Sequence, residues 1–289
     1  MSISAKSFVL DLLLTLRDGS MPVRGLVDAA RMLGIAENST RVALARLLAA
    51  RQIERDERGQ YRLGNESRAV RGQIESWRTL ERRTMPWDGS WIAVIVSQTP
   101  RPLRRTRQLH DRALRFLGFH ELETGLALRP NNLRGGVDQV RKDLGDLGLS
   151  DAALVCEISA LDGARDARAR RLWDGAELAR GYRESLRAIS QSATGLPRMA
   201  VADAMRESFT LGGRVIRQLV LDPLLPEPLA PVELRNQLVD AMRAYDKVGR
   251  ECWAQFMRGL GVPHRQAPSD SRLGAQRHAL ITAVSGGLA

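Results

Sequence analysis

Residues 39–63 read STRVALARLLAARQIERDERGQYRL, and this stretch decides how the N-terminal part of the chain folds. Its first half has helical periodicity and predicts a helix from about Asn38 to Ala50. The apolar face of this helix is formed by Thr40, Leu44, Leu47 and Leu48. The opposite face carries Arg41, Val42, Ala45 and Arg46. A helix with a buried face and an arginine-bearing face can pack on a domain and still contact a partner.

Two further helices precede this one, and a hairpin follows it. Apolar residues at helical spacing predict a helix over residues 3–17, and a second begins at Pro22 and stops at Gly34. Ile53, Tyr61 and Leu63 are expected to point inward from a β-hairpin that turns at Asp56–Gly59. Three helices followed by a basic hairpin predict a winged helix-turn-helix domain.

Arginine is suited to both parts of such a domain. Its planar fork can bond two acceptors on a guanine edge, and its charge can neutralise phosphates. We therefore predict contacts with double-stranded DNA from Asn38, Ser39, Arg41, Val42, Arg46, Arg55, Arg58 and Arg62. The alternative is an amphipathic helix with solvated arginines, or a domain of this kind that contacts protein.

The distribution of charge favours an anionic partner more than the total charge does. The chain carries a formal net charge of +11, and all but three of its 44 basic residues are arginine, as a GC-rich genome would also produce. Residues 67–117, however, hold eleven basic and four acidic residues, a net +7, whereas residues 1–66 and 118–289 each contribute +2. A bias in codon usage would spread the excess evenly, so this concentration favours a function.

The segment ENSTRVALARLLAARQIERDERGQYRLG, residues 37–64, resembles the DNA-binding region of the PaaX family of transcriptional repressors of phenylacetate catabolism and related pathways. Ala36 departs from the family pattern, which has a helix-capping Ser or Thr there. Asn38 is then the side chain expected to cap the helix, which would start later.

The middle of the chain predicts the order β-α-β-β-α-β of a ferredoxin-like domain. The strands are expected at Trp91–Ser97, within GFHELETGLALRPNNL (118–133) and at Ala153–Ile158, with helices over 103–117 and 136–146. The segments WDGSW (87–91) and RPNNL (129–133) also resemble the PaaX family. In that family this domain is similar to a small CRISPR-associated endonuclease with a metal-binding Asp at the end of its first strand. Here that strand ends Val94–Ser97 without a carboxylate, which argues against a nuclease.

Residues 167–257 are predicted to be largely helical. The interruption at Asp222–Pro226 resembles the DP-x-LP element of the PaaX C-terminal domain, although the family's following Trp-Pro-Gly is replaced by Val232–Arg235. The resemblance implies a repressor released by an effector such as the aryl-CoA thioester phenylacetyl-CoA. The missing Trp-Pro-Gly keeps a free aromatic or heteroaromatic acid open as the effector.

The predicted fold class is therefore α+β, with a winged helix-turn-helix, a ferredoxin-like middle domain and a mainly helical C-terminal domain. The boundaries are 1–66 for the DNA-binding domain, 67–87 for a basic linker helix, 88–162 for the middle domain, 163–265 for the helical domain and 266–289 for a flexible tail.

The sequence lacks the motifs that are typical of several classes of enzyme and metal-binding protein. Nucleotide-binding and hydrolase motifs are absent, and the four histidines have no ligand spacing, so we expect no enzyme, metal or cofactor. His110 beside Asp111 is expected to form a surface pair. No signal peptide or membrane-length apolar run is visible, which predicts a soluble cytoplasmic protein.

The sequence thus predicts a repressor of a catabolic operon for aromatic or heteroaromatic compounds. Its expected partners are a promoter inverted repeat, a second copy of itself and a small organic-anion inducer, with no membrane. Arginine clusters suit phosphates and carboxylates, and the inducer is expected at Arg101, Arg104, Arg105 and Arg107. These arginines can equally form a solvated helix face or support DNA phosphates. The alternative function is a winged-helix nucleic-acid-processing or interaction protein without an effector.

Overall fold

The computed structural model describes residues 4–16, 20–64, 76–96 and 104–259. Within these ranges the protein combines α-helices with two small antiparallel sheets, which confirms the predicted α+β class. The linker segment 65–75 and the predicted tail 266–289 lie outside the described residues, as do residues 17–19, where the predicted first helix ends.

The N-terminal module contains three helices and a three-stranded sheet. Its elements are α1 (Ala5–Thr15), β1 (Ser20–Pro22), α2 (Val23–Met32), α3 (Glu37–Ala49), β2 (Ile53–Arg55) and β3 (Gln60–Leu63). The hydroxyl of Ser4 caps α1 by accepting the N–H of Ser7 at 3.1 Å. Strand β3 lies between β1 and β2 and is antiparallel to both. The predicted hairpin is confirmed, with Ile53 and Leu63 buried and paired across it.

The core of this module continues onto helices from the C-terminal part of the chain. Apolar residues of α1, α2 and α3 pack in one cluster with Met205, Trp253 and Met257. The ring of Phe8 lies 5.3 Å from that of Phe209, which in turn lies 5.7 Å from the ring of Trp253. The burial of these large aromatic side chains contributes strongly to stability.

The middle region has the predicted element order. It comprises β4 (Trp91–Ile95), α4 (Arg104–Phe116), β5 (His120–Glu123), β6 (Leu126–Pro130), α5 (Gly136–Asp146) and β7 (Leu154–Ile158). The strand order in its sheet is β5-β6-β4-β7, and all neighbouring strands are antiparallel. Trp91 and Trp173 stack in its core with their ring centroids 6.2 Å apart.

The remaining described helices are α6 (Gly163–Ala169), α7 (Gly175–Gly195), α8 (Val201–Val220) and α9 (Val232–Gly259). The predicted interruption is confirmed as an irregular segment between α8 and α9. The described part of the predicted linker helix, Ser76–Arg83, is a 3-10 helix kinked at Thr79. Arg243 donates two hydrogen bonds to the carbonyl of Arg78 just before the kink, so this carbonyl is engaged by a side chain.

Two details on α4 differ from the sequence predictions. Leu109, whose helical spacing from Ala113 and Leu117 predicts a place on the same apolar face, is 40% exposed. His110, expected at the surface beside Asp111, is buried, and its Nε2 accepts the backbone N–H of Ser150 at 3.1 Å. The prediction of a surface pair was therefore wrong, because a distant backbone donor gives this imidazole a buried partner.

The chain divides into two compact units. Among the described residues, the first unit comprises those up to Arg78, Ser185–Val220 and those from Val239 onward. The second comprises Thr79–Glu184 and Leu221–Leu238. The N-terminal module thus belongs to the same unit as α8, and the middle region shares a unit with the segment between α8 and α9.

Candidate nucleic-acid interface

The face of α3 that points away from the core carries the residues predicted to contact DNA. The helix packs on α1 and α2, and its Thr40, Leu44 and Leu47 are buried. Residues three or four apart share a helix face, and the exposed face follows this spacing. Its residues are Asn38, Ser39, Arg41, Val42, Ala45, Arg46 and Ala49. All five residues predicted on this helix therefore lie on one solvent-facing surface.

Val42 gives this surface an apolar centre. It is a large apolar side chain and is 42% exposed. Ala45 and Ala49 beside it are small, so a flat partner could approach the helix closely. In a DNA major groove, an apolar side chain can contact the C5-methyl group of thymine.

The N-terminus of α3 differs from the sequence prediction. The helix begins at Glu37 with Ala36 as its N-cap, and no side chain bonds to the first-turn N–H groups. Asn38 is therefore an exposed residue inside the helix rather than its cap. The N-cap lies two residues earlier than expected, and the carbonyl of Ala36 accepts both the N–H and the hydroxyl of Thr40, at 3.1 and 3.2 Å.

Glu37 organises the charges at this end of α3. Its Oε1 accepts the Nε and Nη2 of Arg41 at 2.9 and 2.8 Å, and its Oε2 accepts the Nη2 of Arg31 at 2.9 Å. Hydrogen bonds from Arg41, and then from Arg31, lower the pKa of the Glu37 carboxyl. Glu37 was not among the predicted site residues, although a Glu four positions before an Arg on a helix is a recognisable pairing signal.

Arg46 differs from Arg41 in its surroundings. It is exposed one turn beyond Val42, and the described residues offer it no ion pair within 4.0 Å. Arg41, in contrast, has its Nε and Nη2 bonded to Glu37. Of the two predicted base-reading arginines, Arg46 is therefore the one without a competing carboxylate among the described residues.

The hairpin beside α3 holds the other three predicted residues. The Oδ1 of Asp56 accepts the N–H groups of Arg58 and Gln60 at 3.0 and 2.8 Å, which fixes the turn. Gly59 has a φ of +74°, a conformation that favours glycine. Arg58 is exposed on this turn. The other two arginines are engaged, Arg62 with Glu54 at 3.0 Å and Arg55 over the ring of Tyr61 at 5.8 Å.

Only some of the residues predicted to bind the effector are among the described residues. Arg101 lies outside the described residues. Arg104 and Arg105 begin α4, but their side chains are not described. Arg107 is exposed on the same helix. The described residues therefore do not define a ligand site at these positions.

Residues 129–133 of the middle region and the segment between α8 and α9 meet in the second unit. The side-chain amide of Asn132 donates to the carbonyl of Leu224 at 2.7 Å, across 92 residues of sequence. Asn132 also accepts from Arg129 at 3.1 Å. Burial lowers the pKa of the Arg129 guanidinium to about 9. This arginine also donates to the backbone carbonyls of Leu117 and Pro130.

Asp222, in the same segment, is the centre of a second buried group. It accepts the hydroxyl of Tyr182 at 2.5 Å and the N–H of Leu224 at 2.8 Å, and its carboxylate lies 3.6 Å from Arg235. Burial raises the pKa of Asp222, while Arg235 and the Tyr182 hydroxyl act in the opposite direction. Burial and the neighbouring Asp222 also raise the pKa of Tyr182. The arrangement holds the loop together through charge-assisted hydrogen bonds.

The described residues show neither a metal-binding cluster nor a membrane-spanning helix. They contain no cluster of three or more His, Cys, Asp and Glu side chains that could hold a metal ion. None of the described helices is both long and apolar enough to span a bilayer.

Comparison of the sequence with known protein families and with curated proteins finds no match. Among solved structures, the chain is similar to the uncharacterized protein Rv0674 from Mycobacterium tuberculosis, with a TM-score of 0.55. The two sequences are 23% identical, and the alignment covers 96% of this chain and 98% of that one. At this identity the likeness concerns the fold alone.

Proposed function

We propose that this chain is a sequence-specific DNA-binding transcriptional repressor whose N-terminal module is a winged helix-turn-helix. The observation that carries the proposal is the exposed face of α3, which presents Arg46 and Val42 opposite the buried Thr40, Leu44 and Leu47. A helix built in this way can enter a partner's groove without disturbing its own core. The resemblance of residues 37–64 to the PaaX DNA-binding region supports the same assignment.

The dimensions fit a DNA groove. The 13 residues of α3 span about 20 Å, and the major groove is about 12 Å wide, enough to admit one helix. In this arrangement Arg46 bonds a guanine edge and Val42 contacts a thymine methyl group. The hairpin then lies along the backbone, where Arg58 contacts a phosphate and contributes affinity without sequence preference.

The proposed protein is a homodimer on an inverted repeat. A single recognition helix covers only a few base pairs, and two-fold pairing doubles the site that is read. The middle region, whose strand order is that of a ferredoxin-like domain, is proposed to take part in pairing or in effector binding. The resemblance to the PaaX family supports a catabolic operon for aromatic or heteroaromatic compounds as the regulated target.

The proposed inducer is an organic anion, either an aryl-CoA thioester or a free aromatic acid. Its support is the family resemblance and the basic segment 67–117. A true inducer binds the DNA-free protein more tightly by the same factor by which it weakens DNA binding. Calorimetric titration of candidate acids and their CoA esters, with and without operator DNA, tests this. Equal affinity for the ligand with and without operator DNA would exclude it as an inducer.

The decisive experiment for the proposal is selection from a random-sequence DNA library with the purified protein. We expect enrichment of an inverted repeat bound by two copies of the chain, as measured by sedimentation of the complex. Failure to enrich any sequence, with binding to duplex DNA no tighter than expected for a basic protein, would overturn the proposal. The alternative would then be a winged-helix interaction or nucleic-acid-processing protein, and its exposed Val42 would serve as a protein contact.

A further inference from the structure

The α2–α3 surface carries a chain of alternating charges that ends at the proposed DNA-reading face. It begins with Arg24 and Asp28, whose closest atoms are 3.7 Å apart, and continues from Asp28 to Arg31 at 3.1 Å. Arg31 then bonds Glu37, which also holds Arg41. Glu37 is the link between the two helices and the only acidic residue of α3.

Both oxygens of Glu37 are used by arginines. Arg41 gives two donors to one oxygen, and Arg31 gives one donor to the other. Opening such pairs costs little, since exposed ion pairs contribute only about 0–1 kcal/mol. The pairs therefore restrain the two arginines without locking them.

We propose that Glu37 is a specificity-determining residue that holds Arg31 and Arg41 away from the phosphates of arbitrary DNA. The inference rests on the proposed function, because it concerns how the same α3 surface discriminates between DNA sequences. In DNA of any sequence, each phosphate that an arginine contacts adds affinity and steepens the salt dependence. A carboxylate that occupies two arginines and repels phosphates lowers this general affinity.

On the operator, Glu37 is expected to have a smaller effect on the binding affinity. Base contacts by Arg46 and Val42 fix the position of α3 on the operator, where Arg31 and Arg41 stay paired with Glu37 and the affinity is retained. Other DNA is bound through its phosphates alone and loses the contacts that these two arginines would add. Discrimination is then gained by weakening the wrong complex as well as by strengthening the right one. The surface thus combines one available arginine, Arg46, with two restrained ones.

The test compares Glu37→Gln with two charge-matched controls. Asp28→Asn removes the same charge and loosens Arg24 and Arg31, but leaves the Glu37–Arg41 pair in place. Glu57→Gln removes the same charge from the exposed hairpin turn, where the described residues give Glu57 no ion pair. For each protein, affinity for the selected operator and for scrambled DNA is measured by fluorescence anisotropy from 50 to 200 mM salt.

We expect Glu37→Gln to bind scrambled DNA more tightly and with a salt slope steeper by about one to two units, one for each arginine released. Over a fourfold change in salt, each released contact changes the affinity about threefold. The ratio of operator to scrambled affinity should therefore fall by about three- to tenfold at low salt. Glu57→Gln should change both affinities alike and leave the slope within error of the parent protein. Asp28→Asn leaves Arg31 and Arg41 bonded to Glu37, so its slope should steepen less than that of Glu37→Gln.

A double-mutant cycle separates a direct role from an action through Arg41. In an Arg41→Gln background, the effect of Glu37→Gln on the slope should shrink to the part carried by Arg31. An unchanged slope and ratio in Glu37→Gln, with normal operator binding by the parent, would overturn this inference and leave the proposed function standing. If the parent protein showed no preference for any DNA sequence, both this inference and the proposed function would be overturned. The Glu37 side chain is partly buried, at 41% exposure, so the thermal midpoint of each variant is measured as a check on folding.

Discussion

The α3 surface and the buried group around Asp222 use the same residue types for opposite purposes. On α3, Glu37 and its arginines lie in solvent, and their pairs can open at little cost. Around Asp222, the side chains of Arg235 and Asp222 are 3% and 1% exposed, and an unpaired charge there would be costly. Burial therefore separates charges that are available to a partner from charges that maintain the fold.

The largest expected effect comes from the buried group. Replacement of Asp222 by Ala should lower the free energy of unfolding by about 3–5 kcal/mol, because it leaves Arg235 buried without its countercharge. It also leaves the Tyr182 hydroxyl without its acceptor. Chemical denaturation monitored by circular dichroism measures the loss.

The matched control is Asp138→Ala. Asp138 pairs with Arg141 at 2.6 Å, but its side chain is 85% exposed, so we expect a change within about 0.5 kcal/mol. An equal loss in the two variants would break the comparison, since burial would then not decide what these carboxylates contribute.

The second prediction concerns the available arginine on α3. Replacement of Arg46 by Ala should cost about 1–3 kcal/mol in binding to the selected operator, since one bidentate base contact is lost. The unfolding free energy should remain within about 0.5 kcal/mol, because the side chain is exposed. Anisotropy titration and denaturation measure the two quantities.

Arg112→Ala is the control for Arg46→Ala. Arg112 is equally exposed but lies on α4, outside the proposed interface. Operator affinity that falls equally in both variants would indicate an effect of net charge rather than of base reading. Unchanged affinity in both Arg46→Ala and Arg41→Ala would contradict the assignment of α3.

How far the sequence alone could predict these regions follows from the range of the contacts. The exposed residues of α3 recur every three to four positions, so the sequence predicted this face of the helix. It also predicted the hairpin with Gly59 in its turn. The partners of His110 and Asn132 could not be predicted, because they lie 40 and 92 residues away in sequence. The burial of Arg129 against the carbonyl of Leu117 could not be predicted either, because it depends on a contact outside its own strand.

Glu37 is an intermediate case. Its bond to Arg41 is local and could have been predicted from the spacing of four residues on one helix. Its bond to Arg31 depends on how α2 approaches α3, which the spacing does not specify. Glu37 has no donor for DNA, and its part in the site follows only from the arginines on α2 and α3 that it bonds.

A smaller effect is expected at the turn of the hairpin. Replacement of Arg58 by Ala should weaken operator and scrambled DNA alike and flatten the salt slope by about one unit, as for the loss of one phosphate contact. Arg58→Lys keeps the charge and should retain most of the slope. A loss of sequence preference with an unchanged slope would place Arg58 on a base rather than on a phosphate.

The smallest expected effect belongs to Asp11, a carboxylate between the two extremes. It lies half-buried on α1, and burial raises its pKa, whereas Arg217 acts against this rise. Because the folded state holds the proton more tightly than the unfolded state, protonated Asp11 stabilises the fold below its unfolded pKa of about 3.9. This contribution is lost as the pH rises through the folded-state pKa.

Asp11→Asn keeps the shape of the protonated acid and removes the titration. We therefore expect the variant to match the parent near pH 3.5 and to be more stable than the parent at pH 7, as measured by urea denaturation at both pH values. Asp28→Asn, on α2, should show no such gain, because its carboxylate, although only 30% exposed, is paired with Arg31. A parent that is the more stable protein at pH 7 would mean that Arg217 outweighs burial at Asp11. Even a half-buried carboxylate would then behave like the paired charges on α3, and the division between the two regions would be set by the nearest arginine rather than by burial.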